Sequence, residues 1–352
     1  NLANDMVDAN KKFITGADMA VKAAIDAGAQ MMYGYPITPA TEIFTGWIKN
    51  KQNFLQTEDE ISAGFAVCGG VLAGQKAFSA SSGPGHVLMQ DGFIMAEGMR
   101  LPFVLFAAQR GGPSSGTVIY SQQEVMLACY GGNGEGMRLV YSPSGPEELY
   151  ALTRRAFNEA WKYRFPAIVL TDGYTLKEKS IVDFSLINDV ENFPAYPLVA
   201  EGQNIHWPNI FTSEEELNHE LNLAKADFDK ITPLVATSEI IQTDDAEVIL
   251  IAHGIVAVAA KEALAKLRLE NQKVGMFRPI TLRPFDKVTL DKTVGGKNVK
   301  QVIVIESSFG QLARLVKDSM DTTLGKPFNY IQYPALGIEI EEMVSEIKKI
   351  II

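Results

Sequence analysis

Four short stretches of the 352-residue chain carry groups able to bind an anion or move a proton. They are "GYPITP" (34–39), "QTEDE" (56–60), "SASSGPGH" (79–86) and "AAQRGGPSSG" (107–116). In "QTEDE", Glu58, Asp59 and Glu60 open the uncharged stretch "ISAGFAVCGGVLAG". Acids in a first helical turn usually cap or complement the helix dipole. A helix this apolar is buried, however, and Glu60 would be buried with it. A buried carboxylate is costly without a partner, which makes Glu60 a candidate for proton transfer. Arg110 ends an apolar run and offers a planar, permanently charged fork for a carboxylate. An ion pair with Glu58 is its alternative, structural role. The glycines of "SSGPG" free backbone N–H groups at a helix start, which suits an anion. No GxxxxGK[ST] or GxGxxG is present, and a tight turn explains the same glycines. In "GYPITP", Pro36 and Pro39 stiffen a turn, with Thr38 as the expected N-cap of a helix running towards Asn50.

The elements that position these loops follow from periodicity. The first 15 residues read as a polar arm. Thr15 then caps a helix closed by Gly28. Apolar strands alternate with helices: "AQMMYGY", "NFLQT", "KAFSA", "PFVLFAA", "MRLVYS" and "PAIVLTDG" are the strands. Strands this apolar, each followed by a helix, predict a parallel sheet covered on both faces. All four loops then fall at the carboxyl ends of strands, the edge where open α/β sheets bind ligands. From about Tyr174 to Asp245 the pattern fades into a linker with one polar helix over "SEEELNHELNLAKADFDK", its acidic start and basic end matching the dipole. A second alternation begins at Ala246. The expected organisation is therefore 1–175, a linker over 176–245, and 246–352. The fold class is α/β, with two doubly wound, mostly parallel sheet domains.

Composition narrows the function. A net charge of −10 disfavours nucleic acid, and the chain has 47% hydrophobic and 21% charged residues, the balance of a globular protein. Cys68 and Cys129 are too few for a disulfide framework or a four-thiolate cluster, and read as small buried residues. No apolar stretch reaches the roughly 20 residues of a membrane span, and no signal-like segment opens the chain. The expectation is a cytoplasmic protein, with no membrane partner. His86, His206, His219 and His253 show no metal spacing, and no GxSxG appears.

Taken in order, "GYPITPATE", "TEDEISA", "SSGPG", "QRGGPSSG" and "YGGNGEG" resemble the α subunit of the thiamine diphosphate-dependent 2-oxoacid:ferredoxin oxidoreductases. The likeness covers residues 13 to about 176 closely. It continues more loosely through "FRPITLRPFD" and "ESSFGQLARLV". The resemblance implies a first domain like the pyrimidine-binding module of thiamine enzymes and a second, smaller one like the transketolase C-terminal domain. It implies that Glu60 hydrogen-bonds the aminopyrimidine and shares a proton with it, the catalytic role. Thr38 and Arg110 would hold the substrate carboxylate. Tyr35, Pro36, Ile37, Ser82, Gly83 and Pro84 would line the cofactor with Glu60.

The nearest thing to the GDG…N motif that holds Mg2+ and the diphosphate is "TDGYTLKEK", and its candidate asparagines, Asn188 and Asn192, come too early. The resemblance therefore puts Mg2+, the diphosphate and an iron–sulfur cluster on a partner chain. It implies a β subunit, an (αβ)2 assembly, an optional γ subunit or domain, ferredoxin, a 2-oxoacid and coenzyme A. The expected reaction is oxidative decarboxylation of a 2-oxoacid to acyl-CoA and CO2. Two alternatives are a transketolase-like thiamine half subunit and a non-catalytic scaffold subunit. The form "GGNGEG" differs from the "GDHGE" of some relatives, which leaves the 2-oxoacid open.

Overall fold

The computed structural model describes residues 11–187, 190–199, 201–202 and 208–351. The chain begins with β1 (Lys11–Thr15), α1 (Gly16–Asp26), β2 (Met31–Gly34), α2 (Thr41–Lys49), β3 (Phe54–Gln56), α3 (Glu60–Leu72), β4 (Ala77–Ser81) and α4 (Pro84–Gly98). It continues with β5 (Val104–Gln109), α5 (Val125–Tyr130), β6 (Leu139–Tyr141), α6 (Pro146–Tyr163), β7 (Ala167–Asp172), α7 (Gly173–Lys177), β8 (Lys179–Asp183) and α8 (Glu214–Val235). The remainder is β9 (Ser238–Ile241), β10 (Val248–Ile251), α9 (Gly254–Leu269), β11 (Val274–Pro279), β12 (Thr281–Arg283), α10 (Lys287–Val294), β13 (Gln301–Glu306), α11 (Gln311–Ser319), β14 (Phe328–Gln332) and α12 (Ile340–Ile351).

Two large sheets, with a small third one of β1 and β8, organise these elements. A seven-stranded sheet has the order β12-β6-β7-β5-β4-β2-β3, parallel except for β12. A five-stranded sheet has the order β14-β13-β10-β11-β9, parallel except for β9. Successive side chains of a strand point to opposite faces, so a strand apolar throughout must be covered on both. In β5, Val104, Phe106 and Ala108 join one cluster, while Leu105 and Ala107 join another. The second of these clusters runs on to Ile249, Ile251, Phe277, Val302 and Val304 of the smaller sheet. The main core therefore lies between the two sheets. Val248, Leu250 and Ile303 face the other way, towards α9 and α12.

Several expectations change. Residues 1–10 of the expected arm lie outside the described residues, and 11–15 form a strand antiparallel to β8. Residues 174–245 hold α7, β8 and β9 as well as the polar helix. That helix is capped by Ser213 and runs on to Val235, so its last turn carries no basic residue. It keeps a solvated face, but Phe228, Ile231 and Val235 pack into the core. β12 leaves the second half of the chain to pair with β6 of the first.

Candidate functional site

The four loops meet at the carboxyl edge of the larger sheet, because β2, β4 and β5 run parallel and each hands over to a helix there. The three acids of "QTEDE" divide their roles. Glu58 accepts from the Ser62 hydroxyl at 2.8 Å. Asp59 caps α3, accepting from the Ser62 N–H at 2.7 Å, and this bond holds its carboxyl below the usual range. Glu60 is left to enter the interior at 5% exposure. It has no salt-bridge partner among the described residues. Burial raises its pKa most; its own backbone N–H lowers it, the Asp59 charge adds to the rise, and the Arg110 charge offsets part of it.

The Glu60 carboxylate is seated on the first turn of α4. A Cβ placed on Gly85 would lie 2.3 Å from Glu60 Oε1 and 2.6 Å from Ser81 Oγ. Only a glycine lets the helix come that close. Gly83, two residues earlier at the N-cap of α4, has φ +50° and ψ −119°, which L side chains rarely adopt. A Cβ there would lie 2.8 Å from Arg110 Nε. The "SSGPG" glycines thus give close approach for two charged side chains, Glu60 and Arg110.

Arg110 is 7% exposed. Its guanidinium does not pair with Glu58 or, among the described residues, with any carboxylate. One guanidinium nitrogen donates to the Thr38 carbonyl at 2.8 Å, and Nε has no partner among the described residues. Thr38 therefore meets Arg110 through its backbone. It does not cap a helix: α2 starts at Thr41, and Ala40 holds the cap position without a side-chain bond. The bracketing prolines push the helix start two residues on and leave the Thr38 side chain exposed. Tyr35 and Pro36 are exposed on the same turn, and Ile37 is half-buried against the core. Ser82 is buried, and its hydroxyl, like those of Ser79 and Ser81, has no partner among the described residues. Glu60, Ser82, Gly83, Arg110 and the Thr38 carbonyl form one cluster.

The fifth resemblance-bearing loop stands apart. "YGGNGEG" is exposed over 132–135 and is held by Arg283, which donates to the Gly136 carbonyl at 2.7 Å and the Tyr130 hydroxyl at 2.9 Å. Arg138 beneath it is fully buried and bonded to Glu97 at 2.6 Å. Asp172 of "TDG" caps α7 through the Thr175 N–H and hydroxyl, and burial raises its pKa to about 6. Asn192 bonds Arg154 and the Asp26 carbonyl, and Asn188 lies outside the described residues. Cys68 and Cys129 are buried thiols, each pushed up to about 12 by burial. Among the described residues no group of three His, Cys, Asp or Glu comes together as a metal site. No helix of the described residues is long and apolar enough to cross a membrane.

One residue escaped sequence reasoning. Glu124, in the loop before α5, is 5% exposed and accepts from the Gly83 and Arg110 backbone N–H groups, both at 3.0 Å. Its other oxygen lies 2.7 Å from Nδ1 of the fully buried His86. An acid among the polar residues of "YSQQE" resembles any helix-start acid, so only tertiary contacts reveal it.

Comparison with known proteins shows the family. Residues 22–195 match the family described as "Pyruvate flavodoxin/ferredoxin oxidoreductase, thiamine diP-bdg", and residues 246–338 match "Pyruvate:ferredoxin oxidoreductase core domain II". The chain is 31% identical to 2-oxoglutarate synthase subunit KorA of Methanocaldococcus jannaschii, over 86% of this chain and 89% of that protein. It is 33% identical to ketoisovalerate oxidoreductase subunit VorB of Methanothermobacter thermautotrophicus, over 88% of each. A solved 2-oxoglutarate:ferredoxin oxidoreductase from Magnetococcus marinus, with 2-oxoglutarate, coenzyme A and succinyl-CoA bound, superposes with a TM-score of 0.84 at 26% identity. The match covers 97% of this chain and 65% of that one. A split-gene transketolase, described as an inactive β4 tetramer, superposes at 0.60 with 13% identity, covering 96% of this chain and 98% of that one, and shares the fold alone. The likeness to transketolase is therefore one of architecture. By sequence, by fold and by the order of its loops, this chain belongs to the α-type subunits of the 2-oxoacid:ferredoxin oxidoreductases.

Proposed function

We propose that this chain supplies the pyrimidine side of a thiamine diphosphate site and the carboxylate anchor for a 2-oxoacid. The observation that carries the reading is the pairing of two buried charges without ion-pair partners, Glu60 and Arg110, on one sheet edge. The residues fit the group: Ser81 and Ser82 hydroxyls and Arg110 Nε are buried and unpartnered among the described residues, beside a glycine that leaves Glu60 its seat. When bound, thiamine diphosphate supplies the electron sink for decarboxylation. Glu60, at the dry end of α3, holds or shares one proton with the aminopyrimidine, which its raised pKa favours. Arg110, fixed through one nitrogen to the Thr38 carbonyl, turns its remaining donors to the substrate carboxylate. The exposed Thr38 hydroxyl supplies a further donor. Tyr35, Pro36, Ile37, Ser82, Gly83 and Pro84 enclose the cofactor ring.

Mg2+, the diphosphate and the iron–sulfur cluster belong on a β partner, in an (αβ)2 assembly with an optional γ part. Ferredoxin accepts the electrons and coenzyme A the acyl group. The segments 1–175 and 246–352 serve as the two domains of this half. Relatives named for 2-oxoglutarate and for ketoisovalerate put both acids in the test panel. The test is Glu60→Gln in the assembled complex, read by hydrogen–deuterium exchange at cofactor C2. A slowing of about 10²–10⁴-fold is expected, the usual weight of general acid–base catalysis. Exchange at the wild-type rate refutes the role of Glu60.

A further inference from the structure

Glu124 contributes nothing to the roles assigned above, yet it spends a whole buried carboxylate on the floor of the site. Oε1 accepts from two backbone N–H groups, Gly83 and Arg110, each at 3.0 Å. These belong to different loops, one after β4 and one after β5. A single oxygen therefore ties the "SSGPG" turn to the start of "RGGPSSG". The same two residues also approach closely, with Arg110 Nε 2.8 Å from the position of a Gly83 Cβ. Oε2 lies 2.7 Å from His86 Nδ1, on the first turn of α4. A carboxylate only accepts, so the proton of this bond sits on Nδ1. Nε2 is buried without a partner among the described residues.

The segment that carries Glu124 is itself clamped. The Ser121 hydroxyl donates to the Arg110 carbonyl at 2.7 Å, and the Glu124 N–H to the Gln109 side chain at 3.3 Å. From the other half of the chain, the Ser307 N–H donates to the Gln122 side chain at 3.0 Å. The Gln311 side chain donates to the Gln123 carbonyl at 2.6 Å and accepts from the Met126 N–H at 3.0 Å. A carboxylate held this firmly fixes what it holds.

We propose that Glu124 is a positioning residue for substrate binding: it sets the distance between Arg110 and the Gly83 turn and fixes His86 with its proton on Nδ1. The inference rests on the reading of Arg110 as the carboxylate anchor. A displacement of about 1 Å in a binding group commonly costs on the order of 10²-fold. Glu124→Ala, in the assembled complex, is expected to raise KM for the 2-oxoacid by about 10²-fold and to change KM for coenzyme A little. Glu124→Gln keeps an acceptor for both backbone N–H groups, so it should recover most of the lost affinity. Its amide now donates to His86, which moves the ring proton to Nε2. Nitrogen-15 spectra of the full chain with labelled histidine read that shift directly, and they remain decisive if the alanine variant fails to fold.

A folded Glu124→Ala with wild-type KM overturns the proposal. So does a wild-type His86 that carries no proton on Nδ1, or a glutamine variant as impaired as the alanine. Arg110→Lys separates the two layers of the argument. Unchanged KM in Arg110→Lys overturns the anchor reading itself, whereas an impaired lysine variant beside an unimpaired Glu124→Ala overturns the positioning role alone.

Discussion

Gly85→Ala tests the seating of Glu60 without touching any charge. The helix should welcome the change: alanine is favoured over glycine inside α4 by up to about 1 kcal/mol. The added methyl, however, would stand 2.3 Å from Glu60 Oε1, where an ordinary contact is 3.4–4 Å. The carboxylate must therefore retreat by about 1 Å or swing out of its seat. Ser81 Oγ, at 2.6 Å from the same point, blocks one way of sharing the strain. A misplacement of that size costs on the order of 10²-fold in rate, roughly 2.7 kcal/mol of transition-state stabilisation. The variant should therefore melt at or near the wild-type temperature and lose about 10²-fold in kcat/KM. Both are measured on the assembled complex, with cofactor C2 exchange as the second readout. A folded variant within threefold of wild type on both would refute the argument that Glu60 works from this seat.

Three other outcomes are expected. Arg110→Lys keeps the charge and loses the fork, so kcat/KM for the 2-oxoacid should fall by about 1.5–3 kcal/mol; an unchanged value in a folded protein would mark Arg110 as structural. Gly83→Ala forces a side chain into φ +50° and against Arg110, so urea unfolding should show a loss of about 1–3 kcal/mol, and an unchanged midpoint would refute the strain. His253 is buried, and burial with the Arg278 charge lowers its pKa from 6.5 to about 3. The unfolded chain therefore binds a proton that the folded chain refuses, so stability conferred above pH 6.5 is lost as pH falls towards 3. Between pH 7 and pH 5 the loss from this residue is about 2 kcal/mol. His253→Gln should flatten the slope of urea stability over that range, and an identical slope would refute the assignment.

Long apolar runs made most of the architecture legible. "PFVLFAA" and "PAIVLTDG" need cover on both faces whatever surrounds them, so they announce a parallel sheet locally. β8, β9 and β12 are three to five residues long and have no period of their own. Their partners, not their composition, make them strands. The Thr38 cap was misplaced because the sequence shows a proline at a helix start without showing where the helix axis can begin. Glu60 and Arg110 stood out because a charge at the end of an apolar element is costly to hide. Their burial and neighbourhood are what the structure adds. Glu124 stayed hidden because its donors are backbone N–H groups 14 and 41 residues away, which leave no trace in side-chain spacing.

The strand β12 has a consequence for how the chain matures. Until residues 281–283 arrive, β6 is the open margin of the larger sheet, with unpaired backbone groups inviting other strands. Its natural partner emerges from the ribosome about 140 residues later. During that delay, on the order of 7–30 seconds at common elongation speeds, the nascent first half is prone to pair with a neighbour on the same message. Overproduction should aggravate this, and slower synthesis or lower temperature should relieve it. A fragment ending before Ala246 would keep the exposed margin permanently, so soluble yield should recover only when the chain extends past Arg283.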